Sequence, residues 1–192
     1  MKYSFLKRIK RFIARYVFRL FFSKSFKFFG KKVFIESPDI IEGEEYISLE
    51  NNVYIGSMCW LLAYKQDNIN PVLQIGIDST VGRFSHIVVL RSVLIEKNVA
   101  IADKVYISDN LHGTNDLNIP IKNQPVDFKG EVVIGEGCWI GENVSIIGAK
   151  IGKNSIIAAG SVVSGTIPDY SIVMGNPARV IGNRLKKAKI ND

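Results

Sequence analysis

From residue 49 onward an aliphatic residue recurs about every six positions, and glycine or another small residue often follows it. Helices repeat their apolar positions near every 3.6 residues and half-buried strands every two, so a period of six fits neither element alone. One short strand followed by one turn does fit it. The recurring positions form five triplets: Leu49, Ile55 and Leu61; Ile75, Val81 and Ile87; Ile95, Ile101 and Ile107; Ile134, Ile140 and Ile146; Ile151, Ile157 and Val163.

Three strand-and-turn units can close one triangular coil, and successive coils can stack through parallel strand pairing. The pattern therefore predicts an all-β protein, a left-handed parallel β-helix of about five coils that occupies residues 33–181. The left-handed form is an exception to the usual right-handed rule for parallel crossovers.

The rhythm breaks most strongly after Ile107. The next aliphatic residue of the series, Ile134, follows 27 residues later instead of six, which predicts a protruding loop over residues 113–131. Regular coils bury their own backbone, so a long excursion is where functional residues are expected.

The N-terminal segment, residues 1–32, follows a helical period instead. At 100° per residue its apolar side chains fall on one half of the circle and its arginines largely on the other. This predicts an amphipathic helix that packs its apolar face on the protein or a neighbouring subunit, or lies on an anionic membrane through residues 1–29. At the other end, residues 182–192 form a basic tail, which we expect to be a short helix.

Charge separates these regions. The chain of 192 residues carries a formal charge of +7, but residues 1–32 hold eleven Lys or Arg and no acid. The remainder has fourteen basic and eighteen acidic residues, a net charge of −4, which argues against a nucleic-acid module. Two cysteines without a CxxC motif indicate a reducing, cytoplasmic location. No apolar run is long enough for a signal peptide or a spanning helix.

The chain has two histidines, and one stands where it leaves the coils. In the stretch ISDNLHG, residues 107–113, His112 is the sixth residue of its hexad and is expected to point outwards. It is either a solvated loop residue or a catalytic base. Asp109 could orient the imidazole, contact an acceptor, or simply form a turn. His86 is interpreted as a surface or subunit-contact residue.

Four stretches resemble the hexapeptide-repeat acyltransferases, in the branch of maltose, galactoside and polysaccharide O-acetyltransferases. They are ISDNLHG, IPIKNQPVDFKG, VVIGEGCWIGENVSI and IAAGSVVSGTIPDYSIVMGNPARVI, within residues 95–181. The resemblance implies a homotrimer with acetyl-coenzyme A between subunits. Asn110 stands where the family usually has a first histidine, and His112 stands at the position of the catalytic one.

The same resemblance assigns further residues. Trp139 would wall the acceptor pocket with Asn110, and the backbone N–H of Glu142 would face the thioester oxygen. Gly165 replaces a lysine common in the family. The residues that would contact the coenzyme are Gly141, Ala159, Ser164 and Arg179.

The resulting prediction is an acetyl-coenzyme A-dependent O-acetyltransferase that modifies a saccharide, such as a surface polysaccharide or its precursor, with His112 as the general base at a trimer interface. N-acetylation of a nucleotide-linked amino sugar, acetylation of an antibiotic and a non-catalytic scaffold are the alternatives. No metal is expected. A zinc carbonic anhydrase on this fold needs three histidine ligands per site, and the chain has only two histidines.

Overall fold

The computed structural model describes residues 3–188, so the ends of the basic tail (residues 189–192) and of the N-terminal segment (residues 1 and 2) lie outside it. Within these bounds the chain is mostly β. The helices are α1 Tyr3–Phe22 and α2 Arg184–Ala188, and short 3-10 turns cover Glu44–Tyr46 and Ile121–Asn123.

The strands are short, as a hexad repeat requires. They are β1 Phe28–Phe29, β2 Phe34–Ile35, β3 Ile40–Glu42, β4 Ile47–Leu49, β5 Tyr54–Ile55, β6 Trp60–Ala63, β7 Val72–Ile75, β8 Thr80–Val81, β9 His86–Val89, β10 Ser92–Ile95, β11 Ala100–Ile101, β12 Tyr106–Ser108, β13 Asn110–His112, β14 Val126–Phe128, β15 Val132–Ile134, β16 Trp139–Ile140, β17 Ser145–Ile151, β18 Ile156–Ile157, β19 Val162–Ile167, β20 Ser171–Gly175 and β21 Ala178–Asn183.

Most strands pair in parallel with the strands at the same position in neighbouring repeats, whereas β13 with β14 and β20 with β21 pair antiparallel. The first series runs β1, β4, β7, β10 and β15; the second runs β2, β5, β8, β11, β16, β18 and β20; the third runs β3, β6, β9 and β12. β17 joins the first and third series, since its start pairs with β12 and its end with β15. The pairing starts at Phe28, inside the segment 1–32, and continues beyond Val163 into β20.

The aliphatic residue of every hexad points inwards. All fifteen residues of the five triplets are buried, the most exposed being Ile101 at 4%. The small or apolar residues four positions later, such as Val53 and Cys138, are buried with them. The hexad pattern therefore predicted the core correctly, and the core is one continuous stack of aliphatic layers.

Glycine at the turns allows successive layers to approach closely. A Cβ atom added to Gly82 would lie 2.3 Å from the backbone of Ala102 in the next layer. At Gly182 in β21 the nearest atom to an added Cβ is a side-chain carbon of Ile172 at 3.7 Å, an ordinary contact. The two glycines thus differ in how much space surrounds them.

We therefore expect Gly82→Ala to lower the free energy of unfolding by about 1–3 kcal/mol, because it forces two backbones apart. Gly182→Ala is the matched control and should stay within about 0.5 kcal/mol of the wild type. Urea unfolding followed by circular dichroism measures both. Equal stability of the two variants would contradict close stacking at Gly82.

Candidate active site

The loop that follows β12 begins as a hairpin. After β12 the chain forms β13, which pairs antiparallel with β14, so that His112 lies opposite Val126. The N–H of Gly113 donates to the carbonyl of Pro125 at 2.9 Å and closes the pair. His112 is exposed on this hairpin, as the position in its hexad predicts.

Asp109 anchors the root of the hairpin. Its carboxylate is fully buried and accepts the backbone N–H groups of Leu90 (2.8 Å), Arg91 (2.7 Å) and Ser92 (2.8 Å). The side-chain amide of Asn110 donates to it at 2.7 Å. Buried carboxylates are stable when hydrogen bonds satisfy them in this way. Among the described residues none of these hydrogen bonds joins Asp109 to His112, and the part of Asp109 in catalysis stays a prediction.

Asn110 completes this buried network. Its amide also donates to the carbonyl of Val88 at 3.3 Å, and its oxygen accepts the hydroxyl of Tyr64 at 3.2 Å. The hydroxyl of Ser108 donates to the Asn110 carbonyl at 2.8 Å. Asn110, which stands where the resemblance leads us to expect a histidine, is therefore 5% exposed, and both polar atoms of its side chain are hydrogen-bonded inside the hairpin network.

Tyr64 is a site residue that the sequence did not suggest. Burial, and then the charge of Asp109 and the neighbouring Tyr106, raise the pKa of Tyr64 to about 12. It stays a protonated donor to Asn110 at neutral pH. Tyr64 precedes Asn110 by 46 residues, and no local pattern links the two.

A cavity of about 310 Å³ lies next to the hairpin. It is formed by the 64–71 loop, the turn at Leu90 and Arg91, and the strand β14, which pairs with the His112 strand. The Arg91 guanidinium lies 4.5 Å from the ring centre of Phe128, and the carboxylates of Asp67 and Asp127 also line the cavity. The mixture of cation, carboxylates and an aromatic face is suited to a polar ligand.

The rest of the loop is held by one side chain. Gln124 is buried and accepts the N–H of Asp116 at 3.1 Å, while its amide donates to the carbonyls of Asp116 and Ile119 at 2.8 Å each. The loop therefore has a defined shape beside the cavity.

Two of the residues that the resemblance assigns to the coenzyme, Gly141 and Ala159, lie on stacked turns. The N–H of Gly141 donates to the carbonyl of Ile157 at 2.9 Å, and the N–H of Gly160 donates to the carbonyl of Glu142 at 2.9 Å. An added Cβ at Gly141 would lie 2.6 Å from the nitrogen of Ala159. Among the described residues the N–H of Glu142 donates to no protein acceptor.

The other two assigned residues, Ser164 and Arg179, lie in strands of different sheets. Ser164 is exposed in β19, next to Gly165. Arg179 is exposed in β21, where its guanidinium donates to the carbonyl of Ala178 at 2.8 Å. β21 is antiparallel to β20 and contacts β19.

Trp139 lies apart from His112 in one chain. It belongs to β16 of the second series, between Ala100 and Ile156, and is 55% exposed, whereas His112 follows the third series. His86 stacks on Trp60 with ring centres 4.3 Å apart. Within residues 3–188 no cluster of three metal-ligating side chains is found.

Comparisons with known proteins agree with this architecture. A family model described as the hexapeptide repeat of succinyl-transferase matches residues 131–164, so the chain carries hexapeptide repeats. A protein of Mycobacterium tuberculosis provisionally named an acetyltransferase is 35% identical over 159 residues, 82% of this chain and 50% of that protein. An Escherichia coli protein provisionally named a lipopolysaccharide biosynthesis O-acetyl transferase, WbbJ, is 38% identical over 53% of this chain and 55% of its own length.

The resemblance to hexapeptide-repeat acyltransferases is thereby confirmed. The chain spans about half the length of these curated relatives. The fold is also that of AntD, an N-acyltransferase from Bacillus cereus solved with dTDP and 3-hydroxybutyryl-CoA. That structure has a TM-score of 0.71 and 22% identity over 88% of this chain and 89% of its own.

Proposed function

We propose that this protein is an acetyl-coenzyme A-dependent O-acetyltransferase that modifies a saccharide hydroxyl, with His112 as the general base. The observation that carries the proposal is the exposed imidazole on a hairpin anchored by a buried hydrogen-bond network, beside a polar cavity. A base must be held within reach of the proton that it removes, and this network supplies that rigidity.

The reaction needs a base, a donor for the oxyanion and a leaving group. His112 takes the hydroxyl proton as the oxygen attacks the thioester carbonyl carbon, and the N–H of Glu142 donates to the resulting oxyanion. When the tetrahedral intermediate collapses, the carbon–sulfur bond breaks and the coenzyme thiolate recovers the proton from His112. Atoms and charges balance without a metal ion.

The acceptor binds, in this proposal, in the cavity next to β14. Carboxylates such as Asp67 and Asp127 accept hydrogen bonds from sugar hydroxyls, and Arg91 donates. Phe128 offers an apolar ring for a sugar face. The WbbJ relative's provisional name supports a surface-polysaccharide acceptor.

We further propose that the coils are a left-handed β-helix and that three copies assemble into a homotrimer. The separation of Trp139 and His112 within one chain supports this, since a complete pocket would combine His112 of one copy with Trp139 of its neighbour. The coenzyme would lie along the stacked turns of Gly141 and Ala159, and reach Ser164 and Arg179.

A transfer screen tests the proposal. The purified chain is incubated with radiolabelled acetyl-coenzyme A and, separately, free sugars, lipid-linked oligosaccharides, nucleotide-linked amino sugars and an antibiotic panel. We expect an alkali-labile O-acetyl ester on a saccharide. Amide formation on an amino sugar or esterification of an antibiotic alone would overturn the saccharide O-acetyl assignment, and no transfer to any acceptor would favour a scaffold.

Arg179 gives a sharper prediction on the coenzyme. Replacing the exposed cation by glutamate should raise the KM for acetyl-coenzyme A by about tenfold or more and leave kcat nearly unchanged, because a phosphate contact is lost in ground and transition state alike. Initial rates at varied coenzyme concentration measure it. Lys97→Glu, on the turn between β10 and β11, is the matched charge control, and equal KM values for the two variants would refute the contact.

A further inference from the structure

The helix α1 contacts the protein with its basic side. Arg11 lies 5.2 Å from the ring centre of Phe34 and 3.7 Å from the carboxylate of Glu36. Arg19 donates to the carbonyl of Gly30 at 2.8 Å. The side that amphipathic helices usually turn to water is therefore the side that docks on the body.

Phe18 supports the same contact. It packs with Phe22, Phe26 and Phe29 at ring-centre distances between 5.1 and 6.3 Å. Phe18 lies on the same side of α1 as Arg11, since seven residues separate them, about two helical turns. Aromatic packing and guanidinium stacking together hold the Arg11 and Phe18 side of α1 against the body, so the opposite side is exposed to solvent.

The apolar face of α1 is left in solvent. Its nine side chains are between 39% and 75% exposed, the extremes being Leu6 and Leu20. We call them the apolar arc of α1. They are Phe5, Leu6, Ile9, Phe12, Ile13, Tyr16, Val17, Leu20 and Phe21. Contiguous exposed apolar surface of this kind marks an interaction site.

A cationic cavity borders the arc. It has a volume of about 360 Å³ and is lined by Tyr16 of the arc together with Arg15, Arg19, Lys31 and Lys32. The ion pairs of the described residues do not include Arg15, Lys31 or Lys32. Four cations around one opening fit a phosphate group.

We propose that α1 docks this protein on an anionic membrane surface. The apolar arc enters the boundary between headgroups and acyl chains, and the cavity of Arg15, Arg19, Lys31 and Lys32 binds a lipid phosphate. Residues 1–32 contain no acid, so the rim of the arc is attracted to anionic lipids. The carboxylate of Glu36, which Arg11 contacts, also accepts a hydrogen bond from the Tyr54 hydroxyl.

Electrostatic repulsion disfavours dimerisation through two α1 helices. If the apolar arc of one copy packed on that of another, their cationic rims would lie side by side. Among the described residues no helix is long and apolar enough to span a bilayer. The docking is independent of the acetyl-transfer chemistry. It is compatible with an acceptor that is assembled on a lipid carrier.

Vesicle sedimentation tests the proposal on the full chain. We expect binding to mixed phosphatidylcholine and phosphatidylglycerol vesicles, little binding to pure phosphatidylcholine, and weakening by added salt. Lys31→Glu with Lys32→Glu should weaken binding by about tenfold or more. Lys65→Glu with Lys122→Glu makes the same change in net charge on the body and should bind like the wild type.

Vesicle binding and mass in solution of a serine variant test the role of the apolar arc separately from that of the cationic cavity. Phe12→Ser with Leu20→Ser should abolish vesicle binding and leave the mass in solution, measured by light scattering, unchanged. Absence of wild-type binding to the anionic vesicles, or equal binding to both vesicle types, would overturn the proposal. A lower mass for the serine variant would also overturn it, since the arc would then be covered by a second copy.

Discussion

Replacing His112 by alanine is expected to lower acetyl-transfer turnover by about 10²–10⁴-fold, the usual contribution of a general base. The attacking hydroxyl would then have to lose its proton to water. His112 is exposed and its side chain makes no hydrogen bond among the described residues, so the variant should unfold at the wild-type temperature. Turnover is measured as release of the coenzyme thiol with the best saccharide from the transfer screen.

The second histidine provides the control. His86 lies at the start of β9 and stacks on Trp60, whereas the hairpin contacts β9 at Val88, so His86→Ala should keep the wild-type turnover. If His112→Ala retained turnover within about threefold of wild type, proton transfer by this residue would be ruled out, because a general base contributes far more.

Replacing Asp109 by alanine is expected to cost about 3–5 kcal/mol of unfolding free energy. The change leaves the N–H groups of Leu90, Arg91 and Ser92 and the amide of Asn110 without their buried acceptor. Each buried donor left unsatisfied costs about 1–3 kcal/mol, and part of this is recovered by relaxation and water entry. Thermal unfolding should show a melting temperature lower by about 6–20 °C for a chain of this size.

Asp127→Ala is the matched control for this loss. Asp127 forms a surface ion pair with Lys129 at 3.3 Å, and such pairs contribute at most about 1 kcal/mol. Below its own unfolding temperature Asp109→Ala should also show a lower kcat at an unchanged KM for acetyl-coenzyme A, since the hairpin that carries His112 loses its anchor. A variant as stable as Asp127→Ala would refute the anchoring role.

The hexad period was enough to predict the core, because each short strand of a stacked layer must turn one aliphatic side chain inwards. The same period links Phe29, Ile35 and Ile41, which the sequence analysis did not use. The period is less evident in this part of the chain, because Phe29 takes the place of an aliphatic residue and several lysines surround it. The parallel pairing therefore begins one strand of each series before Leu49.

The orientation of α1 could not be predicted from its periodicity. Both faces can make favourable contacts, since guanidinium groups stack on aromatic rings as Arg11 does on Phe34. Only the position of Phe34 and Phe29 on the adjoining strands decides which side docks.

The candidate site also contains features that the sequence predicts and features that it does not. The exposed position of His112 followed from its place in the hexad, and the loop followed from the break in the period. The network behind it did not, because Tyr64, Leu90 and Arg91 come from other layers and approach Asp109 and Asn110 only through stacking.

Calorimetric titration of the full chain with acetyl-coenzyme A decides between an acetyl-transfer enzyme and a non-catalytic scaffold. We expect saturable binding with one site per chain. Binding should be weakened in Arg179→Glu and unchanged in His112→Ala, which removes a proton acceptor and no coenzyme contact. A titration without saturable heat, on protein whose circular dichroism is that of the folded β structure, would contradict the account and leave a non-catalytic scaffold.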